Sequence, residues 1–196
     1  MPSVLNCRER FHREAELVRK VAASPIGGTL TRALAVLSEA GIKHLVAGGY
    51  AVQEHGYPRA TKDVDIIVPD VAEAKRILLA NGFAIDRESP ISVVDHNGTV
   101  VDLLPGGQSV VGGEVVDLPE PTNVSFSPNI VPLDELIRIK LSASRAKDFA
   151  DVVELIKANH LPEDFVAGAP VADDYLEAWH VAKAEEAVSS GFRTGA

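Results

Sequence analysis

The stretch VAGGYAVQEHGYPRATKDVDIIV, Val46 to Val68, is the most informative part of the chain. A glycine pair, Gly48-Gly49, follows an apolar strand, and Asp63 and Asp65 lie in a second strand with one residue between them. Alternate side chains of a strand point to the same face, so the two carboxylates project side by side. Carboxylates that close repel each other unless a cation lies between them. Mg²⁺ is expected there, because it prefers oxygen ligands and leaves coordination positions open for substrate phosphates.

The glycine pair is predicted to lie at a turn between a strand and a short helix that starts near Ala51. Glycine lets the backbone approach a phosphate closely, and the N–H groups at the start of a helix favour its charge. No Gly-Lys-Ser/Thr follows the pair, and the GxGxxG spacing does not occur here. The turn is therefore neither a Walker P-loop nor a dinucleotide fingerprint.

Composition limits the classes of protein that fit. The chain has 196 residues, 46% hydrophobic, and a formal net charge of −9, which disfavours binding of long duplex DNA through phosphate contacts. No apolar run approaches the ~20 residues of a membrane span, and the charged residues 8–16 are not typical of a signal peptide. Cys7 is the only cysteine, so no intramolecular disulfide can form, and a cytoplasmic location is expected.

Hydrophobic spacing predicts the order of helices and strands. Helices are predicted at 8–22, 28–40, from 51, 69–80, 132–142, 147–158 and 173–188. Strands are predicted at 42–47, 61–68, 83–85, 91–95, 99–104, 115–116 and 123–126, with a hairpin through His96-Asn97-Gly98. This order indicates an α/β (α+β) fold: a mixed, twisted β-sheet flanked by helices, with a C-terminal helical segment. We expect a core over 1–131 and a helical segment over 132–196, packed as one compact unit.

This pattern resembles the nucleotidyltransferase fold family related to DNA polymerase β. Its small bacterial members include nucleotidyltransferase-like toxins of toxin–antitoxin and abortive-infection systems. The similar residues are Gly48-Gly49-Tyr50-Ala51-Val52, His55-Gly56-Tyr57-Pro58-Arg59, Thr61 and Asp63-Val64-Asp65. The resemblance extends from about Ile42 to Leu155. It implies transfer of a nucleoside monophosphate from a nucleoside triphosphate to a hydroxyl, with two Mg²⁺ ions, or alternatively Mn²⁺, at the acidic site.

Two-metal chemistry of this kind needs a third carboxylate beside Asp63 and Asp65. Asp102, in the second arm of the predicted hairpin, is the preferred candidate, because Val-Asp-Leu-Leu resembles the third-acid strand of the family. The resemblance implies that Asp102 binds metal and helps to deprotonate the acceptor hydroxyl. Asp95, beside the Asn-Gly turn, remains the alternative, although aspartates at such positions often serve the turn itself.

A later segment adds candidate phosphate ligands. Lys140 in one helix, followed by Arg145, Lys147, Asp148 and Asp151, looks like the corresponding helices of the toxin-type branch. The resemblance implies that Lys140 binds the triphosphate, a role that suits a compact ammonium charge. Asp148 and Asp151 are expected to be structural, or to orient these cations.

Two residues before the metal strand complete the expected nucleotide site. Arg59 is a candidate for the γ-phosphate or the acceptor, and Thr61 for the nucleotide. The acceptor stays open between an RNA end such as tRNA, a protein, and a small molecule of the antibiotic type. A catalytically silent nucleotide-binding regulator is a further alternative. The toxin resemblance also implies a cognate antitoxin as partner.

Overall fold

The computed structural model describes residues 25–111 and 113–191, so the helix predicted over 8–22 lies outside the described residues. Its helices are α1 (Pro25–Glu39), α2 (Gly48–Glu54), α3 (Val71–Ala80), α4 (Leu133–Ser142), α5 (Ala146–Asn159) and α6 (Ala172–Gly191). Its strands are β1 (Leu45–Val46), β2 (Asp63–Val68), β3 (Ala84–Ile85), β4 (Ser92–Val94), β5 (Val100–Pro105), β6 (Gly107–Val111) and β7 (Glu114–Leu118).

Five strands form the main sheet, in the order β1-β2-β5-β4-β3. The two central strands, β2 and β5, run parallel, and every other neighbouring pair is antiparallel. The remaining strands, β6 and β7, form a separate antiparallel hairpin. The predicted α/β fold with a mixed sheet flanked by helices is therefore confirmed.

The alternation of side chains along β2 sends its residues to two different environments. Val64, Ile66 and Val68 are fully buried and pack with α1 and α3 in one apolar cluster. Ile67 belongs to a second cluster, which contains the buried faces of α4, α5 and α6. Asp63 and Asp65 share the side of Ile67 but are only partly buried. Helices thus cover both faces of the sheet and leave the acidic end of β2 accessible.

Local sequence accounts for most of the element boundaries. Gly41 follows α1 with a φ of +72°, the left-handed conformation that favours glycine after a helix. Asp70 caps α3 by accepting a hydrogen bond from the Glu73 backbone N–H. Pro132 immediately precedes α4, where its missing N–H costs no helical hydrogen bond.

Three strand predictions need correction. The strand predicted at 42–47 is only Leu45–Val46, because the chain pairs with β2 over two residues. Residues 123–126 form no strand; Ser125 instead accepts hydrogen bonds at its carbonyl from Ser38 and contacts His44. The strand Gly107–Val111 was not predicted, since its glycine and polar residues interrupt the apolar alternation; it forms by pairing with β7.

Candidate active site

Three carboxylates meet on one face of the sheet. Asp63 and Asp65 lie two residues apart on β2, and the Cα of Asp65 is the register partner of the Cα of Asp102 on parallel β5. All three side chains line the same cleft. The parallel pairing therefore brings the predicted third acid beside the other two. Thr61, two residues before β2 begins to pair at Asp63, donates a hydrogen bond to Asp63 Oδ1 at 3.1 Å and helps to orient that carboxylate.

The glycine pair at the start of α2, Gly48-Gly49, lies directly against this acidic group. Gly48 has a φ of +60°, and a Cβ at that position would lie 1.7 Å from Asp65 Oδ2. A Cβ at Gly49 would lie 2.6 Å from Thr61 Oγ1. Both positions therefore need glycine so that the backbone can approach the carboxylate strand. The turn predicted ahead of a helix starting near Ala51 is not found, because Gly48 and Gly49 are the first two residues of α2, and both line the cleft.

Electrostatic repulsion makes this group of acids unfavourable in the absence of a cation. The pKa of Asp65 is raised from 3.8 to about 6, chiefly by burial and in addition by the negative charges of Asp63 and Asp102. The positive charges of Lys140 and Lys147 oppose that rise but do not cancel it. A divalent cation beside Asp65 would relieve the cost of its ionisation.

The opposite wall of the cleft is built on buried ion pairs. Lys140 on α4 is almost fully buried, and its Nζ donates to Asp151 Oδ2 at 2.6 Å and to Asp148 Oδ1 at 3.0 Å. Asp148 also accepts a hydrogen bond from Arg145 Nε. Burial opposes the ionisation of Asp148, but the hydrogen bonds and charges of Arg145 and Lys140 outweigh it and lower its pKa. The expected orienting role of these aspartates agrees with this arrangement.

Arg59 joins the same network from the other side of the cleft. Its Nε lies 2.8 Å from Asp151 Oδ1, an ion pair whose angle does not satisfy a hydrogen bond. Its guanidinium also donates from Nη1 to the Ala60 carbonyl at 3.0 Å. Arg59 and Lys140 both line the cleft, yet each is already held by Asp151. Asp151 therefore fixes the positions of two of the predicted phosphate ligands.

The cleft has a volume of about 370 Å³, within the range of small-molecule sites. Its lining contains four carboxylates, on Asp63, Asp65, Asp102 and Asp148, and five cationic side chains, on Arg59, Lys62, Lys140, Arg145 and Lys147. Two of these cations, Lys62 and Lys147, are exposed and form no salt bridge with any described residue. A cleft with this lining can hold a metal at its carboxylates and phosphates at its cations.

Asp95, the alternative third acid, lies elsewhere. It accepts a hydrogen bond from Thr29 Oγ1 at 2.7 Å and forms ion pairs with Arg32 and His96. Those contacts anchor the tip of the β4–β5 hairpin to α1, and Asp95 does not line the cleft. Between the two candidates, only Asp102 faces the same space as Asp63 and Asp65.

The described residues contain no group of three or more His, Cys, Asp or Glu side chains already placed as a metal-binding set. The chemistry of the cleft nevertheless fits a hard divalent cation. Three carboxylates offer oxygen ligands, and burial together with the charges of Asp63 and Asp102 raises the pKa of Asp65, a cost that a bound cation would offset.

Several residues of the site were not predicted to belong to it. Ser92 on β4 donates a hydrogen bond to Asp102 Oδ1, although no motif in the sequence marks it. Lys147 belongs to the segment that resembles the toxin-type helices but was given no role of its own, and Lys62 belongs to no motif. The adjacency of Lys62 to the Asp63–Asp65 pair was the one available signal.

Comparisons with known proteins found one similar sequence and similar solved structures. No family model matches the sequence. A protein of Synechococcus elongatus named alkaline phosphatase synthesis transcriptional regulatory protein SphR is 26% identical over 125 residues. These residues make up 59% of this chain and 47% of that protein, so the chain spans about half the length of the curated relative that it matches.

Two solved structures of the antibiotic-resistance factor ANT(2″)-Ia are also similar. The solution structure is 14% identical and covers 84% of this chain and 89% of its own, with a TM-score of 0.39. The crystal structure, a complex with adenylyl-2″-tobramycin, is 15% identical and covers 85% and 96%, also with a TM-score of 0.39. So loose a superposition assigns neither a family nor an activity to this chain.

Among the described residues, no helix has both the length and the apolar character needed to cross a bilayer.

Proposed function

We propose that the protein is a nucleotidyltransferase that moves a nucleoside monophosphate from a nucleoside triphosphate to a hydroxyl group. The observation that carries this proposal is the pairing of Asp65 with Asp102 on adjacent parallel strands, beside Asp63 and in a cleft that five cationic side chains also line. A cleft with acids on one wall and fixed cations on the other suits a metal-bound triphosphate. The resemblance of the Gly48–Asp65 segment to the nucleotidyltransferase fold supports the same reaction.

The residues of the acidic wall would hold the cation and the nucleophile. Asp63, Asp65 and Asp102 would bind Mg²⁺, with Mn²⁺ as an alternative. When bound, the metal would supply positive charge to the α-phosphate and lower the pKa of the acceptor hydroxyl. The proton of that hydroxyl would pass to the carboxylate of Asp102.

In the transfer, the acceptor oxygen forms a bond to the α-phosphorus, and the bond from that phosphorus to the bridging oxygen breaks. Pyrophosphate leaves with the electron pair of the broken bond. Lys140 and Arg59, held in place by Asp151, would stabilise the charge that develops on the leaving group. The backbone of Gly48 and Gly49 and the hydroxyl of Thr61 would contact the nucleotide at the cleft wall.

The acceptor that fits this cleft best is an anionic one, such as an RNA end. Lys62 and Lys147 are the observation that favours it, because both are exposed at the cleft and neither forms a salt bridge with a described residue. Two free cations at the mouth of the cleft attract phosphates and would repel a positively charged drug. The toxin-type version of this proposal also includes a cognate antitoxin as partner.

A labelling experiment tests the reaction. Purified protein is incubated with Mg²⁺ and each [α-³²P]NTP, together with tRNA, total cell protein or an aminocyclitol. The wild type is expected to label tRNA, whereas Asp65→Asn should lose all transfer and Asp95→Asn should retain it. If calorimetry shows no binding of any nucleoside triphosphate in the presence of Mg²⁺, the proposal fails.

The same assay separates the acceptor classes. Replacing Lys62 and Lys147 together by Gln should raise the KM for tRNA by about tenfold and leave the affinity for the nucleotide unchanged, because the contacts are to acceptor phosphates. Label on the aminocyclitol alone would indicate a small-molecule transferase instead. Nucleotide binding without transfer to any acceptor would indicate a regulatory protein.

A further inference from the structure

Ser92 occupies an unusual place beside the third acid. It is fully buried on β4, and its Cα is the antiparallel register partner of the Cα of Asp102. Its hydroxyl donates a hydrogen bond to Asp102 Oδ1. A buried serine can satisfy its hydroxyl on a backbone carbonyl, as Ser38 does on Ser125. The hydroxyl of Ser92 is instead directed to a carboxylate that lines the cleft.

A second serine completes a directed chain of hydrogen bonds. The hydroxyl oxygens of Ser89 and Ser92 lie 2.6 Å apart. A serine hydroxyl has one proton, and that of Ser92 is given to Asp102, so Ser89 must donate to Ser92. The hydrogen bond from Ser92 thereby fixes Asp102 Oδ1, while Oδ2 accepts no hydrogen bond from any described residue. This leaves one carboxylate oxygen of Asp102 for an incoming ligand.

We propose that Ser92, supported by Ser89, is a positioning residue that orients Asp102 toward a divalent cation in the cleft. Carboxylates that bind metals are commonly held by hydrogen bonds from a surrounding layer of residues, and loss of such a partner lowers metal affinity about 10- to 100-fold. The role rests on the proposed function, because it requires that Asp102 be a metal ligand.

Mn²⁺ alone is the probe, with free Mn²⁺ followed by its electron paramagnetic resonance signal. Ser92→Ala is expected to raise the Kd for Mn²⁺ about 10- to 100-fold. Ser92→Thr keeps the hydroxyl but adds a methyl group at a fully buried position. It should lose thermal stability like Ser92→Ala and still bind Mn²⁺ within about threefold of the wild type.

Ser38→Ala is the matched control, because it also removes a buried serine hydroxyl and its hydrogen bond, but far from the acids. It should lower the Tm without changing the Kd for Mn²⁺. If Ser92→Ala does not fold, Ser89→Ala in the half-buried loop replaces it, with a Kd expected to rise about two- to tenfold.

The outcomes separate the two proposals. Wild-type protein that binds no Mn²⁺ overturns both the metal-dependent reaction and the role of Ser92. Mn²⁺ binding by the wild type together with an unchanged Kd in Ser92→Ala, or in Ser89→Ala if that is the variant that folds, overturns the role of Ser92 alone. An equal loss of affinity in Ser38→Ala would also overturn it, because the effect would then come from general destabilisation.

Discussion

Asp65 and Asp102 are register partners on adjacent parallel strands, although α3, β3 and β4 lie between them in the chain. Parallel neighbours need a long connection, and here that connection contains both a helix and the hairpin arm that holds Ser92. The two carboxylates consequently point into one cleft with Asp63. Four predictions follow from the free-energy cost of placing three negative charges together and from the ion pairs around the cleft.

Removing the charge of Asp65 should stabilise the metal-free protein at neutral pH. Its pKa rises from 3.8 to about 6 on folding, so the folded protein binds the proton more tightly and loses stability as pH rises from about 4 to 6. The free energy of unfolding of Asp65→Asn should exceed that of the wild type by up to about 3 kcal/mol at pH 7.5 and by about 1 kcal/mol at pH 4.5. Urea denaturation in EDTA measures both differences, and an equal gain at the two pH values would contradict the assigned pKa.

Gly48→Ala should destabilise the protein and abolish Mn²⁺ binding. Its φ of +60° is unfavourable for alanine, and the new Cβ would lie 1.7 Å from Asp65 Oδ2, so the expected loss is at least about 2 kcal/mol. Gly28→Ala is the control, because that helical glycine has no neighbour within 4 Å of its added Cβ. It should stabilise α1 by about 0.5–1 kcal/mol. Urea denaturation and Mn²⁺ titration of both variants check this, and normal Mn²⁺ binding by Gly48→Ala would contradict it.

Lys140→Met should cost about 3–5 kcal/mol of stability. It leaves the almost fully buried carboxylates of Asp148 and Asp151 without the ammonium that both contact. Lys183→Met is the comparison, since it removes one partner of a partly exposed pair with Glu186 and should cost less than about 1 kcal/mol. The free energies of unfolding by urea give both values. Similar losses of unfolding free energy in the two variants would mean that the buried ion pairs of Lys140 contribute little to stability.

Asp95→Asn should lower stability by about 1–3 kcal/mol and leave Mn²⁺ binding unchanged. Although burial opposes it, hydrogen bonds from Thr29 and His96 and the charge of Arg32 lower the pKa of Asp95. A lowered pKa gives stability that is present above about pH 4 and lost below it. The wild type should therefore lose this advantage over Asp95→Asn as the solution is acidified.

The control for that experiment is Asp117→Asn, an exposed carboxylate on β7, which should change stability by no more than about 0.5 kcal/mol. Asp102→Asn, in contrast to Asp95→Asn, should lose Mn²⁺ binding. Loss of Mn²⁺ binding in Asp95→Asn would contradict this and favour Asp95 as the third metal-binding carboxylate.

The hairpin segment shows where prediction from the sequence succeeded and where it stopped. Asn-Gly between two β-rich runs correctly predicted the pairing of β4 with β5, because the turn geometry is a local property. The strand at Gly107–Val111 escaped prediction, since it is stabilised by its partner β7 and not by its own residues. Propensity for a strand depends strongly on such neighbours.

The sequence by itself determined that a glycine pair follows the first strand, that Asp63 and Asp65 lie side by side, and the α/β order of elements. These follow from periodicity and backbone conformation, which act over a few residues. Only the tertiary structure placed Asp102, and not Asp95, beside Asp63 and Asp65, paired Lys140 and Arg59 with Asp151, and placed the Ser92 hydroxyl against Asp102. Each of these depends on strand register or helix packing between distant segments, which no local pattern encodes.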